Sequence, residues 1–446
     1  MPGLYAYDCD LMKMPDKPRS WRRIMEEKSD VIISASTDDK VAELVKKFNE
    51  RYLHWDEVRY RDVPVDHEVL WALMKLSRRN SARRIPFKEW TFHYNITSDV
   101  MRTMHILDSG AGGTIEAPIL GLRTAKDMER YIVSSLMEEA IASSQIEGAV
   151  TTTKVAKDML KTQRRPRNVS EQMILNSYVA MKRIKELRSE ELTIDLIKEL
   201  HRIITQDTLQ HKEYEGQFRK DNETVVGNPF ESDKIYHRPP DHGRIEKYLQ
   251  EVCDFANGSG GDFIHPLIKA ITIHFMIGFI HPFVDGNGRL ARTLLYWYAL
   301  KSDYWLFEYM AISRVIKGSR RKYGMAYLYT ETDDNDLTYF LSYNFRCMEK
   351  ALQDVRAYIL RKQEEQRDAL RIAEELPGIS ARQAEILKYV MKSGRPVPIK
   401  EIATMFDVVY QTARTDLLGL VEIGRLDMFK DKRRLLFVER ASAENV

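Results

Sequence analysis

The chain has 446 residues, a formal net charge of +3, 43% hydrophobic residues and 30% charged ones. That is too long for one small core and ordinary for a soluble protein, so two or three domains are expected. No apolar run reaches the ~18 residues that suggest a membrane span, and the nearest, Ile264 to Phe283, is interrupted by His265, Lys269 and His274. Met1 to Pro18 lacks the apolar stretch of a secretory signal. The three cysteines, Cys9, Cys253 and Cys347, show neither a disulfide framework nor zinc spacing. A cytoplasmic protein without a membrane partner is the expectation.

Residues 1–114 read as an N-terminal extension. Up to about residue 35 there is little periodicity, and irregular structure is expected. Lys40–Asn49 and His67–Ser77 have helical patterns, broken by Pro64 and Pro86. Ser109 to Gly113 reads as a turn or linker, with no Gly-Lys-Ser/Thr to make a phosphate loop. Residues 115–362 are mostly helical. The spacing predicts helices over Thr124–Glu147, Thr153–Leu160, Ser170–Arg188, Thr193–Thr205, Arg244–Asn257, His265–Ile280, Gly288–Lys301 and Arg314–Tyr329, then a long run from Leu337. Two β-prone runs around Gly227, Asn228 and Pro229 predict a hairpin. Residues 363–376 read as a charged helical connector ending at Pro377-Gly378. Residues 377–446 predict helices at Ala381–Met391, Pro398–Met405 and Val409–Ile423, then strands at Arg425–Phe429 and Arg434–Glu439. The fold class is mainly α.

The densest chemistry lies in His281-Pro-Phe-Val-Asp285-Gly286-Asn287-Gly288-Arg289-Leu-Ala-Arg292. It falls where a loop enters a helix, and a helix N-terminus offers bare N–H groups to an anion. Gly286 and Gly288 let backbone approach a phosphate. Asp285 is a hard oxygen ligand suited to magnesium. Arg289 and Arg292 share a helix face. His281 is the one group that can act as a base near neutral pH. A phosphate-handling active site is implied.

These twelve residues resemble the signature of the Fic family, His-Pro-Phe-x-Asp/Glu-Gly-Asn-Gly-Arg-x-x-Arg, at every fixed position. The resemblance implies a Fic-fold helical domain that moves AMP from ATP onto a Ser, Thr or Tyr hydroxyl of a target protein or of itself. It implies that His281 takes the hydroxyl proton and that Asp285 holds Mg²⁺. Asn287 and the amides at Gly286 and Gly288 would cradle phosphates, Arg289 the β and γ groups and Arg292 the γ group. Tyr323 falls where the family often places an aromatic residue near adenine, although Gly324 replaces the usual second one. Ser143-Ser-Gln-Ile-Glu147-Gly148 resembles the family's inhibitory motif, in which the Glu pairs with the second signature arginine, here Arg292, so that ATP binds unreactively. Thr224, Val225 and Val226 lie in what resembles the target-binding flap. The loop glycine Gly288 argues against the kinase branch of the family. Removal of AMP from modified targets, and a DNA-binding regulator that senses nucleotide, are the alternatives.

Ile399 to Leu420 with the following basic hairpin resembles a winged helix-turn-helix. Between 376 and 440 Lys and Arg number 12 and Asp and Glu 8, a net +4 against +3 for the whole chain. That concentration suits phosphate-backbone contact. Winged helices also dimerise, so DNA through residues 377–440 and a second copy of the chain are the further partners the sequence admits.

Overall fold

The computed structural model describes residues 13–111, 125–228, 231–258, 262–375, 378–406, 408–431 and 434–440. The chain divides into two compact units, one of the described residues up to 111 and 126–355, the other of Ala125 and those from 356 onward. Cys9 lies outside the described residues. Among the described residues no helix is long and apolar enough to cross a membrane.

In the first unit, helices α1 (Trp21–Glu27), α2 (Ser29–Ser36), α3 (Asp39–Glu50) and the short α4 (Trp55–Val58) gather around α5 (His67–Ser81). Ile24, Ile32, Val41, Phe48 and Val58 bury against Trp71 and Met74 of α5. Asp38 and Asp66 cap α3 and α5 by accepting from first-turn amides. The segment before residue 35, expected to be irregular, is thus helical from Trp21. Only Ile24, Ile32 and Ala35 are buried on α1 and α2. So few apolar residues leave no periodic signal, and the surface of α5 is what orders them.

A two-stranded ribbon, β1 (Arg83–Ile85) with β2 (Phe92–Tyr94), leads into α6 (Ser98–Ala111). Ser109–Ala111, expected in a turn, therefore close a helix, while Gly112 and Gly113 lie outside the described residues. Buried polar bonds fasten this region to later elements. Tyr52 donates to Asp336 at 2.6 Å, Arg78 donates to the Tyr339 hydroxyl at 2.8 Å, and Lys75 pairs with Asp333 at 2.7 Å. Removing one partner of such a buried pair strands a charge away from water, typically a loss of about 3–5 kcal/mol.

The remainder of the unit holds α7 (Ala125–Ile146), α8 (Thr153–Thr162), α9 (Val169–Glu186), α10 (Ile194–Thr205), β3 (Val226–Asn228), β4 (Glu231–His237), α11 (Ile245–Ala256), α12 (Pro266–Ile280), α13 (Asn287–Lys301), α14 (Ile312–Lys317), α15 (Arg320–Thr332) and the start of α16 (Thr338–Glu375). Helix α12 is apolar around nearly its whole circumference and is buried from Leu267 to Ile280 apart from a few positions, as expected of a helix at the centre of a core. His265 caps it by accepting from the Leu267 amide, and Pro266 opens it at N1. It packs along α13 and against α11. The hairpin pairs Val226 with His237 and Gly227 with Ile235. Of the three residues expected in the flap, Val226 lies on the strand, while Thr224 and Val225 precede it.

The second unit has α17 (Ala381–Ser393), β5 (Val397–Pro398), α18 (Ile399–Met405), α19 (Tyr410–Glu422), β6 (Leu426–Asp431) and β7 (Arg434–Glu439). The sheet is antiparallel in the order β5-β7-β6. Ile386, Val397, Ile402, Leu417 and Phe437 form its core. Ser380 and Gln383 build a capping box for α17, and Gly394 ends that helix in the left-handed region. Strand β5 is only two residues long, which is why no alternation announces it.

Candidate active site

Helix α12 ends on His281, whose backbone is left-handed, with φ 49° and ψ 59°. Its amide still closes the last turn on Ile277. A residue with a Cβ is strained there and needs its surroundings to hold it. Arg219 does so: its Nε donates to the His281 carbonyl at 2.9 Å and its amide to the Pro282 carbonyl at 3.0 Å. His201 supports the next residues. Its ring stacks on Phe283 with centroids 3.6 Å apart. Its Nδ1 accepts from the Gly216 amide at 3.0 Å, so the proton sits on Nε2, which donates to the Asp285 carbonyl at 2.8 Å. Burial pushes the His201 pKa down to about 4, keeping the ring in that neutral form.

His281 faces the Gly278 carbonyl through Nδ1 at 3.3 Å. Nδ1 therefore carries the proton and Nε2 the lone pair. Burial first, and the nearby His237 charge next, push the His281 pKa down to about 3. The ring is neutral at physiological pH and can accept a proton.

Gly286 sits at φ 86° as the N-cap of α13, and its amide donates back to the Asp285 carboxylate. A Cβ there would lie 2.7 Å from Cγ2 of Thr205. Asn287 does not present its side chain outward. It is fully buried, donates to the Phe283 carbonyl at 2.7 Å and accepts from the Phe283 amide at 3.0 Å. Through these two bonds its side chain shapes the loop. Arg289 is 1% exposed, donates to the Ile204 carbonyl at 2.9 Å and reaches the Asp285 carboxylate at 3.4 Å.

Arg292 is claimed by the end of α7. Its Nε donates to Ser143 Oγ at 2.9 Å, and its Nη2 donates to the Ser143 carbonyl at 2.9 Å and to Glu147 Oε1 at 2.8 Å. Burial opposes the Arg292 charge, but the Glu147 carboxylate, together with Tyr323 and Glu139, outweighs it and the pKa is raised. Gly148 follows at φ 94°, the left-handed turn expected of a helix C-terminus. Glu147 also lies over the opening of α13: a Cβ on Gly288 would meet its Oε1 at 2.1 Å. A carboxylate thus occupies the helix N-terminus, where a phosphate would be favoured.

Three supporting residues have no sequence signal of their own. His201 and Arg219 are the first two. Glu139, two turns before Glu147, is the third: it accepts from Tyr296 and from the Ser313 amide, both at 2.8 Å, and from the Ser313 hydroxyl. Burial raises its pKa against those bonds. The i, i+4, i+8 spacing of Glu139, Ser143 and Glu147 was its only trace. Tyr323 is 2% exposed and meets His274 Nε2 through its hydroxyl at 2.8 Å. It lines a cavity of about 60 Å³ together with Glu147, His237, His281 and Gly288.

Among the described residues no group of three metal-ligating side chains occurs. A magnesium ion carried by a nucleotide needs only one or two protein carboxylates beside its phosphates and waters, so Asp285 alone fits such an ion.

Residues 191–299 match the profile of the Fic/DOC family. The chain is 28% identical over 216 residues to a protein adenylyltransferase Fic of Drosophila willistoni, covering 47% of this chain and 41% of that one. It is 30% identical over 174 residues to a protein of the same name from Nematostella vectensis, covering 38% of each chain. The match thus spans about two fifths of these relatives' length. A Fic family protein of Desulfovibrio desulfuricans G20 superposes with a TM-score of 0.51 at 16% identity, over 79% of this chain and 98% of that one. Fic-1 from C. elegans does so with 0.52 at 17% identity, over 76% and 93%. From α10 through most of α13 this chain is similar in sequence to the Fic/DOC family, and its mainly helical fold is the Fic fold.

Proposed function

We propose that the Fic domain transfers AMP from ATP to a Ser, Thr or Tyr hydroxyl of a target protein, itself included, and that the resting chain withholds this activity. The observation that carries the reading is the Glu147–Arg292 pair at 2.8 Å, with both side chains almost completely buried. His281 Nε2 receives the hydroxyl proton while the hydroxyl oxygen attacks the α-phosphorus. The bond from that phosphorus to the bridging oxygen breaks, and pyrophosphate leaves. Arg289 and Arg292 stabilise the charge that develops on the leaving group, and the α13 N-terminus adds its amides. Asp285 would hold Mg²⁺, whose chemistry when bound is to neutralise phosphate charge. With Arg292 committed to Glu147, the γ-phosphate loses a cation and meets a carboxylate instead. Val226 and the rest of the hairpin would present target backbone by strand addition. Intact-mass detection of an AMP adduct on the Glu147→Gly chain after exposure to ATP and Mg²⁺ tests the reading.

For the second unit we infer a winged helix-turn-helix that binds duplex DNA. Tyr410, Gln411, Arg414 and Thr415 form the outward face of α19, and Lys430 and Arg434 are exposed on the β6–β7 hairpin. Asp416, Glu401 and Asp427 are each engaged by an arginine, Arg382, Arg395 and Arg440. Arg414, Lys430 and Arg434 are exposed and take no part in those pairs, which suits phosphates. A gel shift at low salt, weakened by Arg414→Ala and by added salt, supports the inference, and no shift removes it.

A further inference from the structure

His237 ends β4 opposite Val226, at the foot of the hairpin. It is 9% exposed. Its Nδ1 lies 2.7 Å from Glu331 Oε2 on α15, and its Nε2 lies 2.7 Å from the Phe279 carbonyl on α12. A carbonyl and an ionised carboxylate can only accept, and a neutral imidazole has one N–H to give. Both contacts are satisfied together by the imidazolium.

We propose that His237, held as an imidazolium between Glu331 and Phe279, is a positioning residue of the AMP-transfer site: it pins the hairpin foot to the end of α12 and sets a positive charge beside the cavity it shares with His281. This rests on the AMP-transfer reading above.

Burial acts against the His237 charge, but the hydrogen bond and charge of Glu331, with the Phe279 carbonyl, outweigh it and raise the pKa. The charged or titratable groups around the ring are Glu331 on α15, His281 at the end of α12, Arg219 ahead of β3, and Glu147 just past α7 across the shared cavity. Arg219 opposes the charge weakly, and its own role complements that of His237. It donates to the Pro240 carbonyl, so the chain leaving the hairpin is tied to the end of α12 at a second point. The positive ring in turn disfavours a second proton on His281. The sign follows: a raised pKa means the pin is intact at lower pH and fails as pH rises through the folded value, when the neutral ring must abandon one acceptor.

Glu331→Gln tests this with little change of shape. Its amide can donate to a neutral Nδ1 while Nε2–H keeps Phe279, so the hairpin stays hydrogen-bonded but loses the charge. The first readout is nitrogen NMR of the histidine rings in the full chain. One ring should remain doubly protonated above the ordinary histidine pKa of ~6.5. It should vanish in His237→Asn and turn neutral in Glu331→Gln. A neutral ring at 237 in the unmodified chain overturns the proposal. The second readout is AMP transfer in the Glu147→Gly background. Glu331→Gln should lower kcat on the order of tenfold and move the acid limb of the pH profile to higher pH, with a smaller change in KM for ATP. An unmoved acid limb, or an effect confined to KM, overturns the positioning role. If Glu147→Gly alone transfers no AMP, the functional reading fails, while the NMR result still reports the state of His237 separately.

Discussion

Glu147 Oε1 lies 2.8 Å from Arg292 Nη2 and 2.1 Å from where a Cβ on Gly288 would stand. One carboxylate therefore holds the second signature arginine and covers the glycine that opens α13. The two contacts are inseparable: Glu147 reaches Arg292 across Gly288 because Gly288 has no side chain.

That geometry predicts a coupling between positions 147 and 288 that needs no nucleotide to observe. Gly288→Ala should destabilise the chain by about 1–3 kcal/mol, the usual range for overpacking. In the Glu147→Gly background the same substitution should cost much less, because the crowded carboxylate is gone. Thermal or urea unfolding of the four chains measures the coupling. Equal costs in the two backgrounds would mean that Glu147 does not rest over Gly288.

His281→Ala, made together with Glu147→Gly, should lower AMP transfer by about 10²–10⁴-fold, the span of a general base. ATP affinity should change little, because Arg289, Arg292 and the α13 amides remain. Calorimetric binding beside a transfer assay separates the two. A parallel loss of binding would show that His281 helps hold the nucleotide rather than receive the proton.

Residues 281–292 and Glu147 stand out in the sequence because each motif is local: a helix end, a glycine turn and a few charged groups within one or two helical turns. What the sequence does not announce depends on partners far along the chain or on how a side chain is spent. Both ends of the Asn287 side-chain amide are used on Phe283 four residues earlier, a use the motif does not announce. Thr224 and Val225 have strand propensity but precede β3, since the pairing with β4 starts at Val226. Helices α1 and α2 take their order from α5, some forty residues away. His201 stacks on Phe283 from a different helix, and no spacing within α10 foretells that.

The buried histidines predict a loss of stability on the acid side. Burial lowers His54 and His201 to about 4 and His281 to about 3. The unfolded rings take protons below ~6.5, so between there and the folded values the unfolded chain binds more protons and stability falls with pH. Each ring adds up to roughly 1.4 kcal/mol per pH unit to that slope. Urea unfolding followed from about pH 7 to about pH 5 should show it, and His201→Gln should flatten it by one ring's share. An unchanged slope in His201→Gln would mean that this ring is not held neutral.

On the proposed function, a competent AMP-transfer site is present and Glu147 restrains it. It is tested most directly by incubating the unmodified chain and Glu147→Gly with ATP labelled on the α-phosphate or on the γ-phosphate, and counting label bound to protein. The expected result is α-label on protein, no γ-label, and a rise in the variant of about 5–150-fold, the range of a 1–3 kcal/mol coupling. Label arriving from the γ-phosphate, or a variant no more active than the unmodified chain, would contradict it.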